Sequence, residues 1–175
     1  KSHNNAVFEL ETRYIRPVIK SPCIKSFRIE DSNNYCIFPY DEGNRDSVSI
    51  RGLNDTCELL VRYLLGNKNL IEKQSERSRS IARGSDFYSL SKVGIYTFSE
   101  NIVAFRDNTD PVSAVIKPIQ TPWGETRMPI CAKHAPYISM DKNNRYITED
   151  EAYYICGILN TVLVRDYLLS SFSGR

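Results

Sequence analysis

The run TEDEAYYICGILNTVLVRDYLLSSF, residues 148–172, decides the class of fold. Thr148 and Glu151 have the spacing of a capping box, in which a hydroxyl and a carboxylate each accept from a free amide at a helix N-terminus. Ala152, Ile155 and Leu159 then share one face at helical spacing. Asn160-Thr161 interrupts the run and caps a second helix over residues 162–172. The spacing predicts a helical hairpin.

Upstream of that hairpin the chain reads mostly as strand. β-like runs at 24–30 and 35–38 flank the turn-forming Asp31-Ser-Asn-Asn34. Further runs fall at 93–98, 102–106, 112–117 and 135–140, and Pro122-Trp-Gly-Glu125 marks residues 120–128 as a hairpin tip. One helix is expected over 54–65, with Asp55 and Glu58 as its capping box and Leu59, Leu60, Tyr63 and Leu64 as its apolar stripe. A second is expected over 69–82, where residues 74–80 are polar all round and lie against the surface or grip a ligand. Strands closed by a helical pair make an α+β arrangement.

The chain has 175 residues and a mass of 20.1 kDa, the size of one ordinary domain or at most two small ones. With 41% hydrophobic and 25% charged residues, the composition is that of a globular protein. The longest uncharged stretch, residues 152–164, falls well short of the roughly 20 residues of a membrane helix. No secretory leader is read at the N-terminus, so a cytoplasmic protein without membrane partners is expected. The eight glycines are never closer than nine residues apart, which excludes clustered phosphate-binding and dinucleotide loops. Five scattered cysteines without a C-x-x-C pair read as free thiols of a reducing compartment. Cys131 and His134 form a single C-x-x-H step, and no second pair completes a zinc site, so no metal is expected. Asp41, Glu42 and Asp46 lie in a Gly-Asn turn without the lysine a metal-dependent nuclease needs. No catalytic residues are assigned.

Charge is unevenly placed. Residues 13–28 carry Arg13, Arg16, Lys20, Lys25 and Arg28 with no acidic residue. Residues 68–83 carry Lys68, Lys73, Arg77, Arg79 and Arg83 against Glu72 and Glu76, whereas residues 129–175 are neutral. Clustered lysine and arginine supply phosphate affinity through counterion release. A solvated helix face or a polar sheet edge has the same composition.

Glu11-x-x-x-x-Arg16-Pro17-x-Ile19-Lys20, then Ile24-Lys25-x-Phe27 and Tyr35-Cys-Ile-Phe-Pro-Tyr40, resembles the opening of the TaqI-type specificity domain. The order continues through Tyr63-Leu64 with Leu70, then Phe87-Tyr88-x-Leu90. It closes on Ala152-Tyr-Tyr-Ile-Cys-Gly-Ile-Leu-Asn160-Thr161 and the tail from Ser170 to Arg175. These domains are the target-recognition parts of N-6 adenine DNA methyltransferases and of fused type II restriction–modification enzymes. The resemblance implies a twisted, β-helix-like strand region closed by the α-hairpin. It also implies a DNA-binding role for residues 1–175 as a single domain excised from a larger chain. Phe38-Pro39-Tyr40 echoes the Asn-Pro-Pro-Tyr motif that grips a flipped adenine, without its Asn and first Pro. Catalysis and S-adenosylmethionine would therefore belong to a methyltransferase domain outside this chain, which alone is not an enzyme.

The expected partner is double-stranded DNA. The expected contacts are Lys20, Lys25, Lys73, Arg77, Arg79, Arg83, Lys92, Trp123 and Arg127. For Trp123 two placements stand, a lid on the core or a hairpin tip near the groove with Arg127 reaching an acceptor edge or phosphate. The alternatives to the recognition domain are half of a type I restriction specificity subunit and a non-enzymatic protein-interaction domain.

Overall fold

The structure, a computed structural model, describes residues 7–30, 33–74, 86–106, 110–132 and 134–172. Among them it is mixed α+β, with five α-helices and several small sheets. The chain divides into two compact units, Lys1–Ile15 with Ile37–Ile95, and Arg16–Cys36 with Tyr96–Arg175. No helix among the described residues is long and apolar enough to cross a membrane.

The first unit is built on three helices, α1 (Ile50–Asn54), α2 (Glu58–Gly66) and α3 (Lys68–Gln74). The single helix expected over 54–65 is thus two. Ser49 Oγ accepts from Gly52 N at 3.2 Å and starts α1 early. Asp55 becomes its C-cap, and Cys57, at φ −145° and ψ 65°, starts α2 without a side-chain cap. The expected Asp55–Glu58 box is not formed. The cap comes instead from Glu11, whose two carboxylate oxygens accept from Leu59 N and Leu60 N at 2.9 Å each. The restart also rotates the stripe. Leu60, Val61 and Leu64 pack with Leu53, Cys57, Tyr14 and Tyr88, while Leu59 stays partly exposed. The expected helix over 69–82 is described only as α3, and its remainder lies outside the described residues.

Phe38-Pro39-Tyr40 belongs to this unit and is buried. Tyr40 Oη donates to Leu90 O at 3.3 Å and accepts from Leu90 N at 2.6 Å. Tyr88 Oη donates to Val48 O at 2.6 Å. These aromatics hold loops together and present no open ring for a base.

The second unit is strand-rich. β1 (Ile15–Ile19), at whose start the chain enters it, lies between β4 (Tyr35–Ile37) and β9 (Ile130–Cys131), parallel to β9 with Val18 opposite Ile130. The run 24–30, expected as one strand, turns back on itself as β2 (Ile24–Lys25) and β3 (Arg28–Ile29). A second sheet has the order β10-β5-β6, from β5 (Ile102–Phe105), β6 (Ser113–Ile116) and β10 (Tyr137–Ile138). Alternation along β5 divides the core. Ile102 and Ala104 join Ile19, Ile24, Ala114, Ile116 and Ala135 on one side. Val103 joins Ile147, Ala152 and Cys156 on the other. Each isoleucine so buried contributes about 1.5–3 kcal/mol.

Residues 95–98, expected as strand, form a 3-10 turn, and Tyr96 O accepts from Ser139 Oγ at 2.8 Å. The C-terminal helices fall where the capping signals put them. α4 (Glu149–Leu159) carries the full box, with Glu151 N donating to Thr148 Oγ1 at 3.2 Å and Thr148 N to Glu151 Oε2 at 2.8 Å. Its buried residues are Ala152 and Cys156. α5 (Val162–Phe172) follows, with Val162, Leu163 and Tyr167 exposed.

Candidate nucleic-acid interface

The expected contact residues fall in both units. Lys73, in the last turn of α3, and Lys92 are exposed residues of the first. Lys20, Lys25, Trp123 and Arg127 belong to the second. Arg77, Arg79 and Arg83 lie outside the described residues.

Lys20 follows β1 and is exposed, its Nζ donating to the neutral Asn34 Oδ1 at 3.1 Å. Lys25 and Arg28 are cross-strand partners in the β2–β3 hairpin. Both face one carboxylate: Lys25 Nζ lies 3.5 Å and Arg28 Nη2 3.1 Å from Glu30 oxygens. Two cations against one anion leave a surplus at the hairpin. Its loop is Ser26-Phe27, and Phe27 takes the left-handed φ of 63° with the residue 65% exposed. That conformation costs a residue with a β-carbon about 1–2 kcal/mol.

The hairpin over 120–128 is formed, by β7 (Ile119–Gln120) and β8 (Thr126–Arg127). Gly124 turns the chain at φ 87°, and Thr121 ties the loop through Oγ1, which donates to Glu125 O at 2.8 Å. Trp123 is half-buried with its ring 5.2 Å from that of Tyr35. Its Nε1 donates to Glu125 Oε2 at 2.8 Å. Arg127 gives the same oxygen Nε at 3.0 Å and Nη2 at 2.7 Å, and its side chain is 22% exposed. The Arg127 and Trp123 donors hold the Glu125 carboxyl below its ordinary range. Trp123 and Arg127 are therefore held together by one carboxylate, which ion-pairs with the arginine.

Asn160, part of the closing motif but absent from the expected contacts, is the hub of this unit. Its Nδ2 donates to Ser113 O at 2.9 Å and to Cys156 O at 2.8 Å. Its Oδ1 accepts from Ser113 N and Ser26 Oγ at 3.1 Å each. One amide thus joins α4, β6 and the β2–β3 turn. Asparagine between two helical runs gives this away only as a cap, because its other partners lie 47 and 134 residues away.

Four of the five cysteines offer little reactivity. Cys57 and Cys156 are buried, and burial pushes the thiols of Cys36 and Cys131 up to about 11 and about 12. No model of a known protein family matches the chain, and no curated protein matches it.

Proposed function

We propose that the chain is a DNA target-recognition module, which grips duplex DNA for an adenine methyltransferase domain lying outside residues 1–175. The observation that carries this reading is the incompletely matched charge of the stretch from Lys20 to Arg28. Lys20 bonds a neutral amide, and Glu30 serves both Lys25 and Arg28. Exposed cations of this kind displace the counterions condensed on DNA phosphates when they neutralise them. The order of the TaqI-type motifs supports the same reading, with the strand region as a twisted β-helix-like body and α4 and α5 as the hairpin that closes it. S-adenosylmethionine and the methyl transfer belong to the partner domain, and the module works in the cytoplasm with no catalysis of its own.

Titration of a labelled duplex by anisotropy at about 50 and about 200 mM salt tests this. Phosphate contacts alone give a Kd of about 10⁻⁴–10⁻⁶ M at physiological salt. Lys20→Ala and Lys25→Ala should each lower the salt slope by about one. Salt-independent binding, or none at the lower salt, refutes the reading. The exposure of Val162, Leu163 and Tyr167 on α5 favours a second reading, half of a type I specificity subunit or another protein-interaction domain. Self-association or capture by a helical partner, without DNA binding, would select it.

A further inference from the structure

The β2–β3 turn holds an aromatic ring in water on a backbone that disfavours it. Ile24 pairs with Ile29 and Lys25 with Arg28, so Ser26 and Phe27 alone make the loop. Left-handed φ at such a position belongs to glycine, asparagine or aspartate, whose small or hydrogen-bonding side chains suit it. Phenylalanine has neither property, and with 65% of its surface exposed, burial offsets little of the strain. The support beneath it is fixed. Phe27 N donates to Ser113 O at 2.9 Å, Ser26 Oγ to Asn160 Oδ1 at 3.1 Å, and Glu30 N to Cys23 O at 2.8 Å. Ile24 at the base of the hairpin is fully buried. A ring with few rotatable bonds on an anchored turn loses little conformational freedom when it meets a partner. Directly behind it stand Lys25 and Arg28 with their surplus charge.

We propose that Phe27 is a wedge that stacks on or enters a base step of duplex DNA, with Lys25 and Arg28 on the flanking phosphates. The inference rests on the DNA-binding reading above and assigns one side chain the apolar part of it. Nucleic acid presents flat base faces bordered by phosphates, and a ring flanked by two cations matches that alternation. A protein pocket would accept the ring equally well but gives the two cations nothing to do. The strain then has a reason, since it aims the ring before any DNA arrives.

The full chain is titrated onto duplexes carrying 2-aminopurine at a flexible pyrimidine–purine step, at the same two salt concentrations. The wild type should raise the probe's emission as the step unstacks. Phe27→Ala should abolish that rise and weaken binding by about tenfold, the loss of one stacked base. The salt slope should stay unchanged, because the phosphate contacts persist. Phe27→Tyr should retain both signals. Phe27→Gly separates function from folding. It relieves the left-handed strain, so its Tm should stay level or rise by about 1–3 °C while binding falls as for alanine. Wild-type affinity and emission in both the alanine and glycine variants overturn this inference alone. Absence of DNA binding by the wild type at low salt overturns the wedge and the DNA-binding reading together.

Discussion

Asn160→Ala should be among the most destabilising single changes in the second unit, although the residue sits between two helices rather than in an apolar core. Ser113 is fully buried, and its amide gives its proton to Asn160 Oδ1 at 3.1 Å. Truncation leaves that amide without an acceptor, at a cost of about 1–3 kcal/mol. The Nδ2 bonds to Ser113 O and Cys156 O also go, at about 0.5–1.5 kcal/mol each. Ser113 O keeps Phe27 N as a partner at 2.9 Å, which limits the loss there. The sum is about 2–6 kcal/mol, and at this chain size that lowers Tm by about 4–24 °C. Trp123 is the sole tryptophan and lies in the same unit, so its emission during a melt reports this event directly. Thr161→Ala is the control. Its hydroxyl donates to Ile158 O at 2.8 Å and accepts from Val164 N at 3.4 Å at the exposed start of α5, and its loss should cost about 1 kcal/mol. Equal melting shifts for the two variants, or an Asn160→Ala shift as small as that of the threonine, would refute the hub.

Glu11→Ala should destabilise the first unit by about 1 kcal/mol at neutral pH, the worth of a helix cap. Burial works to raise the Glu11 pKa, but the amides of Leu59, Leu60 and its own residue prevail and hold it below 4.5. Its stabilisation is therefore complete above the unfolded value and disappears as pH falls through the lower folded one, so denaturation curves of variant and wild type should converge in acid. Arg127→Ala should change DNA affinity and its salt slope less than Lys20→Ala while shifting Trp123 emission, because Glu125 ion-pairs with the arginine through the oxygen it shares with the indole. Anisotropy and fluorescence on one sample check both halves.

What the sequence discloses about the fold is what can be decided within a few residues. The Thr148–Glu151 box and the Pro122–Gly124 turn are local devices, and both stand where their spacing puts them. The α2 cap was not legible, because its donor amides and the Glu11 carboxylate are 48 and 49 residues apart. Asp55-x-x-Glu58 matched the pattern, yet Ser49 had already started a helix whose end claims Asp55. Residues 95–98 have strand-like side chains, but their backbone coils into a 3-10 turn whose Tyr96 carbonyl accepts from Ser139 Oγ. Propensity yields there to the partner that tertiary structure supplies. For the candidate site, the basic stretch was visible and the exposed ring of Phe27 was not, since a single β-like run over 24–30 hides the turn that strains it.

Charge counted along the chain also treats every lysine and arginine alike, and the structure sorts them. Arg62 is matched by Glu58 four residues earlier, Arg145 by Asp141 and Arg127 by Glu125. A cation with its own carboxylate brings little net charge to a phosphate, so it releases few counterions on binding. Lys20 bonds an uncharged amide, and Lys25 and Arg28 divide one carboxylate. Of these cations, those without a carboxylate of their own lie between Lys20 and Arg28, beside the ring of Phe27. This is why Lys20→Ala and Arg127→Ala, each removing one positive charge, should part company in the same salt titration.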